Sequence, residues 1–322
     1  MFISIITPTY NRAGTLYRCY ESLSDQTFRN FEWIIVDDGS TDETSKIVST
    51  WQRESSLNII YVQKPNGGKP SAVNQGVKIA IGEMCIILDS DNAIAYDGLK
   101  TLVDAWETIT PTLREGYWCV CALAADSVTK KVIGDLFPSN HMTITGGEFQ
   151  FKYKITGEKF GLMRTALLKN NPYPEAAGYK FVPESYIWNR LGRQYKYICI
   201  NTVALIYCTP TGSAFGNLSG KANHIRNAMG LTICEVDLIN KDLSNWFFSA
   251  PIFFFKRAAQ LSRYGIHSAS WLRNYRRLES TKGKMIVLLS FPVGFTLYLG
   301  DKLWYKYYYS PLKANLLRDT IS

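Results

Sequence analysis

The chain is poor in the residues that several function classes need. Three histidines occur among 322 residues, His141, His224 and His267. None pairs at helical spacing, so a zinc site is not expected. Seven cysteines are scattered at positions 19, 85, 119, 121, 199, 208 and 234, with no Cys-x-x-Cys. Several stand inside apolar runs, and they read as buried reduced thiols of a cytosolic protein. No unbroken run of about 20 apolar residues, the length that crosses a bilayer, is present. No basic leader precedes Pro8, so Met1–Thr7 reads as a first core strand and not as a secretion signal. That strand leads to Pro8-Thr9-Tyr10-Asn11 instead of G-x-G-x-x-G, which argues against a Rossmann dehydrogenase. Internal repeats and low-complexity stretches are absent.

What the chain does have is a globular composition, 46% hydrophobic and 20% charged, and a net charge of +9. The charge is unevenly placed. From Lys256 onward twelve Lys and Arg face three acids, Glu279, Asp301 and Asp319, so the whole surplus lies in the last fifth and residues 1–255 are neutral. Such asymmetry implies an anionic partner for the tail, either lipid headgroups or nucleic acid.

The first hundred residues alternate between two periodicities. Phe2–Thr7, Phe31–Val36, Asn58–Val62 and Met84–Leu88 read as strands. Ala13–Gln26, with Leu16, Cys19 and Leu23 on one face, Thr41–Ser55, capped by Ser40 or Thr41, and Pro70–Ala80 read as helices. This alternation predicts an α/β fold with a mostly parallel sheet flanked by helices. Ligands bind beyond the carboxyl ends of such strands. The loops Pro8–Arg12, Asp37–Asp42, Asn66–Lys69 and Asp89–Asn92 are therefore expected to line one crevice. Beyond Gly98 the pattern loosens. A helix to Ile109 is expected, then strands at Tyr117–Leu123, Lys131–Leu136 and Phe160–Met163. A polar segment at Asn170–Gly178 leads to a helix over Phe181–Arg193 opened by Pro183. A closing strand follows at Tyr197–Tyr207, then a Gly/Ser/Thr-rich loop at Thr209–Gly220 and a helical, basic, aromatic tail.

The run Cys85-Ile86-Ile87-Leu88 ends on Asp89-Ser90-Asp91-Asn92. In a strand, positions i and i+2 face one side, which lets Asp89 and Asp91 converge. Two carboxylates together call for a positive occupant, and oxygen ligands suit Mg²⁺ or Mn²⁺. A capping turn with a solvated Asp is the alternative.

Four strings stand in order on successive strand ends: Ile6-Thr7-Pro8-Thr9-Tyr10-Asn11-Arg12, Val36-Asp37-Asp38-Gly39-Ser40-Thr41-Asp42, Asn66-Gly67-Gly68-Lys69 and Leu88-Asp89-Ser90-Asp91. Together they resemble the family 2 glycosyltransferases of the GT-A fold, of the bacterial surface-polysaccharide type, over roughly residues 1–210. The resemblance implies a nucleotide-sugar site of Pro8, Thr9, Tyr10, Asn11, Arg12, Asp38, Gly68, Lys69, Asp89 and Ser90. In it Tyr10 stacks on the uracil of a UDP-sugar and Asp38 accepts the imide hydrogen. Lys69 approaches the nucleotide, or is an ordinary solvated lysine. Asp89 reaches the ribose or the metal, and Asp91 holds an Mn²⁺ or Mg²⁺ cofactor that bridges the phosphates.

Inverting members carry a Glu-Asp pair with a Trp four and an Arg six residues after the Asp. Here Trp188 and Arg190 lie four and six residues beyond Glu184. Glu184 therefore takes the place of that Asp, and Pro183 takes the place of the preceding Glu. This departure keeps one carboxylate as the expected catalytic base. The alternative for Glu184 is a first-turn acid stabilised by the helix dipole. Trp188 and Arg190 are expected to support the acceptor. Lys221, His224 and Arg226 either contact the donor diphosphate or begin a solvated basic helix.

The organisation expected is a nucleotide-sugar half over residues 1–100, an acceptor half over 101–215 and a membrane-interface tail over 216–322. In the tail, Lys284–Leu299 is the most apolar stretch, too short and too broken by Pro292 to span a bilayer. Its basic and aromatic flanks suit a helix lying on an anionic membrane surface, with helix packing as the alternative. Nucleic acid is not expected, because no recognition motif accompanies the charge. The resulting expectation is an inverting, metal-dependent transferase acting on a saccharide acceptor linked to a polyprenyl diphosphate. It would sit at the cytoplasmic face of the cell membrane. A non-catalytic nucleotide-sugar-binding subunit of the same fold is the alternative. No feature of the sequence specifies an oligomeric state.

Overall fold

A computed structural model describes residues 1–175, 179–208 and 221–309. The chain divides into two compact units, Met1–Glu175 with Ile187–Thr211, and Ala176–Tyr186 with Gly212–Ser322. The expected loop Thr209–Gly220 lies outside the described residues.

The first unit begins with β1 (Ile3–Thr9), α1 (Tyr17–Ser24), β2 (Phe31–Asp37), α2 (Thr44–Glu54), β3 (Ile59–Gln63), α3 (Lys69–Ile79) and β4 (Met84–Ile87). It continues through β5 (Ala93–Ile94), α4 (Gly98–Glu107), β6 (Tyr117–Asp126), β7 (Met142–Thr145), β8 (Lys159–Arg164), α5 (Thr165–Lys169), α6 (Ser185–Gly192) and β9 (Lys196–Tyr207). One sheet runs in the order β3-β2-β1-β4-β8-β6-β9-β5, with β7 also paired to β9. The pairs β1–β2, β1–β4, β2–β3 and β6–β9 are parallel. Those of β8 with β4 and β6, and of β9 with β5 and β7, are antiparallel. The sheet is thus the expected α/β sheet with flanking helices, its first half wholly parallel.

Every residue of β1 and β2 is buried. That explains their mostly apolar sequences, because a parallel sheet is covered on both faces, and the polar interruptions Ser4 and Glu32 are buried in a hydrogen bond to each other. Trp33, Trp51 and Tyr20 close one face, with Tyr20 stacked on Trp51 at 4.5 Å. On the other face α3 lies close to the sheet: a Cβ on Gly76 would collide with the side chain of Ile6.

The structure corrects several expectations. Helix α2 starts at Thr44, not at Thr41, and neither Ser40 nor Thr41 caps it. Asp42 Oδ1 instead accepts the Thr44 N–H at 3.1 Å, while Ser40 serves the neighbouring loop. Lys131–Leu136 is not a strand. Only Val132 bridges, to Ala125, because Gly134 turns the chain at φ +85° against Gly157. The short strands β5 and β7 were not anticipated. The helix expected over Phe181–Arg193 begins at Ser185, so Pro183 precedes it instead of occupying its first turn.

The second unit contains α7 (Lys221–Arg226), α8 (Ala228–Lys241), α9 (Leu243–Trp246), α10 (Pro251–His267), α11 (Trp271–Arg276) and α12 (Thr281–Trp304). Helix α12 runs unbroken through Pro292, against expectation. With the turn that follows, Thr281–Tyr307 is long and apolar enough to cross a membrane by length and composition. Gly283, Ile286, Val287, Ser290, Gly294 and Asp301 form its buried stripe. A Cβ on Gly294 would meet the Ala259 carbonyl and the Ser262 side chain of α10 at 2.5 and 2.6 Å, so the two helices lie close together there. At the end of this contact Asp301, 1% exposed, accepts both Arg263 N–H groups at 2.6 Å, His267 Nε2 at 2.9 Å and Lys221 Nζ at 3.1 Å. Burial works against ionising Asp301, but the hydrogen bonds from Arg263 and His267 win and hold it below the usual carboxylate range.

Candidate functional site

The loops after β1, β2, β3 and β4 interlock at the carboxyl end of the parallel strands. Asn11 N–H donates to Ser40 Oγ at 2.8 Å and Thr41 N–H to Asn11 Oδ1 at 2.7 Å. Ala13 N–H donates to Asp42 Oδ2 at 3.0 Å, and Thr15 Oγ1 to the Ser90 carbonyl at 3.2 Å. Arg18 Nη1 donates to the Asp91 carbonyl at 3.2 Å. The expected common crevice is therefore built by side chains of one loop closing the backbone of another. Asn11 takes φ 51°, a conformation Asn tolerates better than most residues.

Asp37 and Asp38 split their work. Asp37 Oδ1 accepts the Ser40 N–H at 2.8 Å and Oδ2 accepts Tyr61 Oη, which fixes the turn. Asp38 is 3% exposed. Its Oδ1 accepts Gly67 N–H at 2.9 Å and Lys64 Nζ at 2.7 Å, and its Oδ2 accepts Gly68 N–H at 2.7 Å. The carboxylate thus pins the Gly67-Gly68 turn, whose φ of +90° at Gly68 suits glycine, directly before α3. Lys64 was not singled out from the sequence. Its signal was a lysine heading the same Pro-Asn-Gly-Gly loop.

Asp89 and Asp91 are brought close, though not by strand alternation. Strand β4 ends at Ile87, and the Asn92 N–H to Asp89 carbonyl bond of 3.0 Å folds the segment into a turn. Lys69 Nζ lies 2.6 Å from Asp89 Oδ1. Arg12 Nη2 lies 3.7 Å from Asp91 Oδ2. Burial pushes the Asp91 carboxyl up, the Asp89 charge adds to that, and the Arg12 guanidinium opposes both. Among the described residues no group of three or more His, Cys, Asp and Glu gathers as a metal cage. Two carboxylates fit a cation that keeps water and takes phosphate oxygens, such as Mg²⁺ or Mn²⁺.

Pro8, Thr9 and Ser90 are buried beneath these loops, while the Tyr10 ring is 50% exposed above them. Thr9 Oγ1 is buried with no hydrogen-bond partner among the described residues. Trp188 packs edge-on to Trp118 at 5.6 Å, and its ring lies against Gly161 of β8. Arg190 follows on α6. Glu184 falls in the second unit, immediately before α6. Lys221, His224 and Arg226 also belong to the second unit. Lys221 pairs with Asp301, Arg226 donates to Tyr309 Oη at 2.6 Å, and His224 meets the Tyr264 ring edge-on. Burial and the Arg263 charge lower the pKa of His224.

Residues 4–113 match the family described as glycosyl transferase family 2. The chain is 36% identical over 100 residues to glycosyltransferase GlyG of Streptococcus pneumoniae, which covers 31% of this chain and 33% of that protein. It is 30% identical over 181 residues to the GalNAc(5)-diNAcBac-PP-undecaprenol beta-1,3-glucosyltransferase of Campylobacter jejuni, covering 54% and 55%. The chain thus spans from a third to just over half the length of these curated relatives. Among solved structures, S. aureus TarS aligns with TM-score 0.61 at 20% identity, over 95% of this chain and 55% of that one. The mannosyltransferase PcManGT of Pyrobaculum calidifontis aligns with TM-score 0.54 at 19% identity, over 94% and 82%. At these identities the likeness concerns the fold, a GT-A-type sheet flanked by helices. The four loop motifs, the order of the parallel strands that carry them and the match over residues 4–113 agree that this first part of the chain is similar to the family 2 glycosyltransferases.

Proposed function

We propose that the chain is an inverting, metal-dependent transferase that moves a sugar from a UDP-sugar to a hydroxyl of a saccharide acceptor. The crevice carries this reading. An exposed ring at Tyr10, cations at Arg12 and Lys69, and carboxylates at Asp89 and Asp91 stand together on interlocked loops. An aromatic face takes a base, and charge-assisted contacts take a diphosphate. Fold neighbours are known in complex with UDP-GlcNAc and with GDP-Man and Mn²⁺, so the fold by itself suits more than one base. Uridine is favoured here by Tyr10, which stands in the place of the family's uracil-stacking residue, whereas Asp38, expected to accept the imide hydrogen, spends both oxygens on Gly67, Gly68 and Lys64 and acts by fixing the loop.

In this reading Tyr10 stacks on uracil, and Lys69 and Arg12 neutralise the diphosphate. A bound Mg²⁺ or Mn²⁺, held by Asp91 with Asp89 beside it, supplies Lewis-acid stabilisation of the departing diphosphate. Glu184 takes the proton of the acceptor hydroxyl as that oxygen attacks the anomeric carbon. The bond from this carbon to the diphosphate oxygen breaks, and UDP leaves with the electron pair. Attack opposite the leaving group turns an α-linked donor into a β-linked product. The Campylobacter relative names an undecaprenyl-diphosphate saccharide, which supports a lipid-linked acceptor at the cytoplasmic membrane face. The apolar outer side of α12, with Met285, Leu288, Leu289 and Leu303 exposed, supports membrane contact by the basic tail.

The test is a panel of UDP-sugars with Mn²⁺ or Mg²⁺, read by thermal shift and by UDP release, on wild type and Glu184→Gln. Metal-dependent stabilisation by UDP is expected, with one sugar preferentially cleaved. The variant should bind UDP normally while turnover with acceptor falls by about a hundredfold or more. Full activity of Glu184→Gln would remove Glu184 as the base. Nucleotide binding with no turnover in wild type would favour the non-catalytic subunit, a reading that Pro183 in place of an acid already suggests.

A further inference from the structure

Both acids of the Asp89–Asp91 turn already have a cation beside them, and each cation comes from a different loop. Lys69 is the first residue of α3 and meets Asp89 at 2.6 Å. Arg12 follows β1 and meets Asp91 at 3.7 Å. The other nearby cations are committed elsewhere: Lys64 to Asp38 and the Pro65 carbonyl, Arg18 to the Asp91 backbone. Two carboxylates with two cations sum to zero, so this turn has little attraction for a further cation alone. A divalent ion placed on Asp89 and Asp91 would also be repelled by Lys69 and Arg12. All four side chains are partly exposed, and ion pairs of that kind are weak and easily exchanged. A nucleoside diphosphate brings anionic oxygens that an ammonium and a guanidinium bind as well as they bind a carboxylate.

We infer that Lys69 and Arg12 are exchangeable counter-ions that hold the acidic pair until a nucleoside diphosphate draws them onto its phosphates, so that metal and nucleotide bind this crevice cooperatively. The inference rests on the donor-site reading above and adds an order to it. The metal's access to Asp89 and Asp91 depends on the nucleotide, and by linkage the nucleotide gains the same factor from the metal. Lys69 then has two opposed effects. It weakens binding of the metal alone and strengthens binding of the nucleotide, whereas a lysine that only touches phosphate has the second effect alone.

The experiment titrates Mn²⁺ into the full-length protein by electron paramagnetic resonance, with and without UDP, for wild type, Lys69→Met and Lys69→Arg. In wild type, UDP should tighten Mn²⁺ binding about tenfold or more, within the range of typical couplings. Lys69→Met should bind Mn²⁺ alone about thirtyfold tighter than wild type, the effect of removing one unit charge about 4 Å from a divalent ion in a water-like medium. The same variant should bind UDP more weakly and show reduced coupling, and Lys69→Arg should restore the wild-type pattern. Unchanged or weaker binding of Mn²⁺ alone by Lys69→Met would overturn the exchange. So would equal Mn²⁺ affinity in wild type with and without UDP. Failure of wild type to bind UDP at all would instead refute the donor-site reading on which the exchange depends.

Discussion

Replacing Asp38 by Ala removes three hydrogen bonds at once, from the Gly67 and Gly68 N–H groups and from Lys64 Nζ, at 2.7 to 2.9 Å. Hydrogen bonds to a charged group contribute about 1.5–3 kcal/mol each. The three share one carboxylate and will not add fully. Lys64 and the two glycines are partly exposed and regain water, which lowers the loss again. The expected destabilisation is about 3 kcal/mol for Asp38→Ala and about 2 kcal/mol for Asp38→Asn, which keeps one acceptor oxygen. Urea unfolding at constant slope measures it, with UDP binding followed in parallel. Because Asp38 secures the turn that begins α3 at Lys69, loss of nucleotide affinity should accompany loss of stability. Both variants unfolding within about 0.5 kcal/mol of wild type would show that the turn holds without Asp38.

Two further outcomes concern the second unit. Leu288 and Leu289 on α12 are 50% and 69% exposed. Changing both to Ser should leave thermal stability unaltered while abolishing pelleting with anionic vesicles, and undiminished pelleting would refute membrane contact through this face. Glu235, buried in α8, has its carboxyl pushed up to about 7 by burial, which outweighs Arg257. Arg257 Nε lies 2.7 Å from Glu235 Oε2. A folded pKa above the unfolded value of 4.5 means that its stabilising share is full below pH 4.5 and lost as pH rises through about 7. Wild type should therefore lose about 3 kcal/mol relative to Glu235→Gln between pH 4 and pH 8, and parallel pH profiles would contradict this.

The parallel half of the sheet was legible because burial on both faces leaves a mostly apolar run, as in Ile3–Thr9 and Phe31–Asp37. The crevice was legible because its polar residues stand directly after those runs. The second half was less so. The two residues of β5 and four of β7 are too short to show a period, and the apolar residues around Val132 were mistaken for a strand that Gly134 cuts off. Lys64 and Asp42 act on partners 26 and 29 residues away, and Arg263, His267 and Lys221 reach Asp301 across 38, 34 and 80 residues. No local pattern announces such partners. Pro292 suggested a break in α12, yet helix packing against α10 carries the helix past it.

The residues named from the motifs fall into two physical classes. Pro8, Thr9, Asp38 and Ser90 are buried, and Asp38 and the Ser90 carbonyl spend their acceptors on neighbouring loops. Tyr10, Arg12, Lys69 and Asp89 stand nearer the surface of the same loops, with Lys69 beside Asp89 and Arg12 beside Asp91. The first group sets where the second group stands, because each loop is closed by a side chain from another loop. Damage to a buried member should thus register in stability as well as in ligand affinity. Damage to an exposed member should register in affinity with the fold intact. Asp91 lies between the classes: its backbone carbonyl is fixed by Arg18, while its carboxyl is pushed up by burial and by Asp89 and opposed by Arg12 and, more weakly, by Lys69. A carboxylate disfavoured in its charged form gains most from an incoming cation, so under the proposed metal binding Asp91 rather than Asp89 is the expected first ligand.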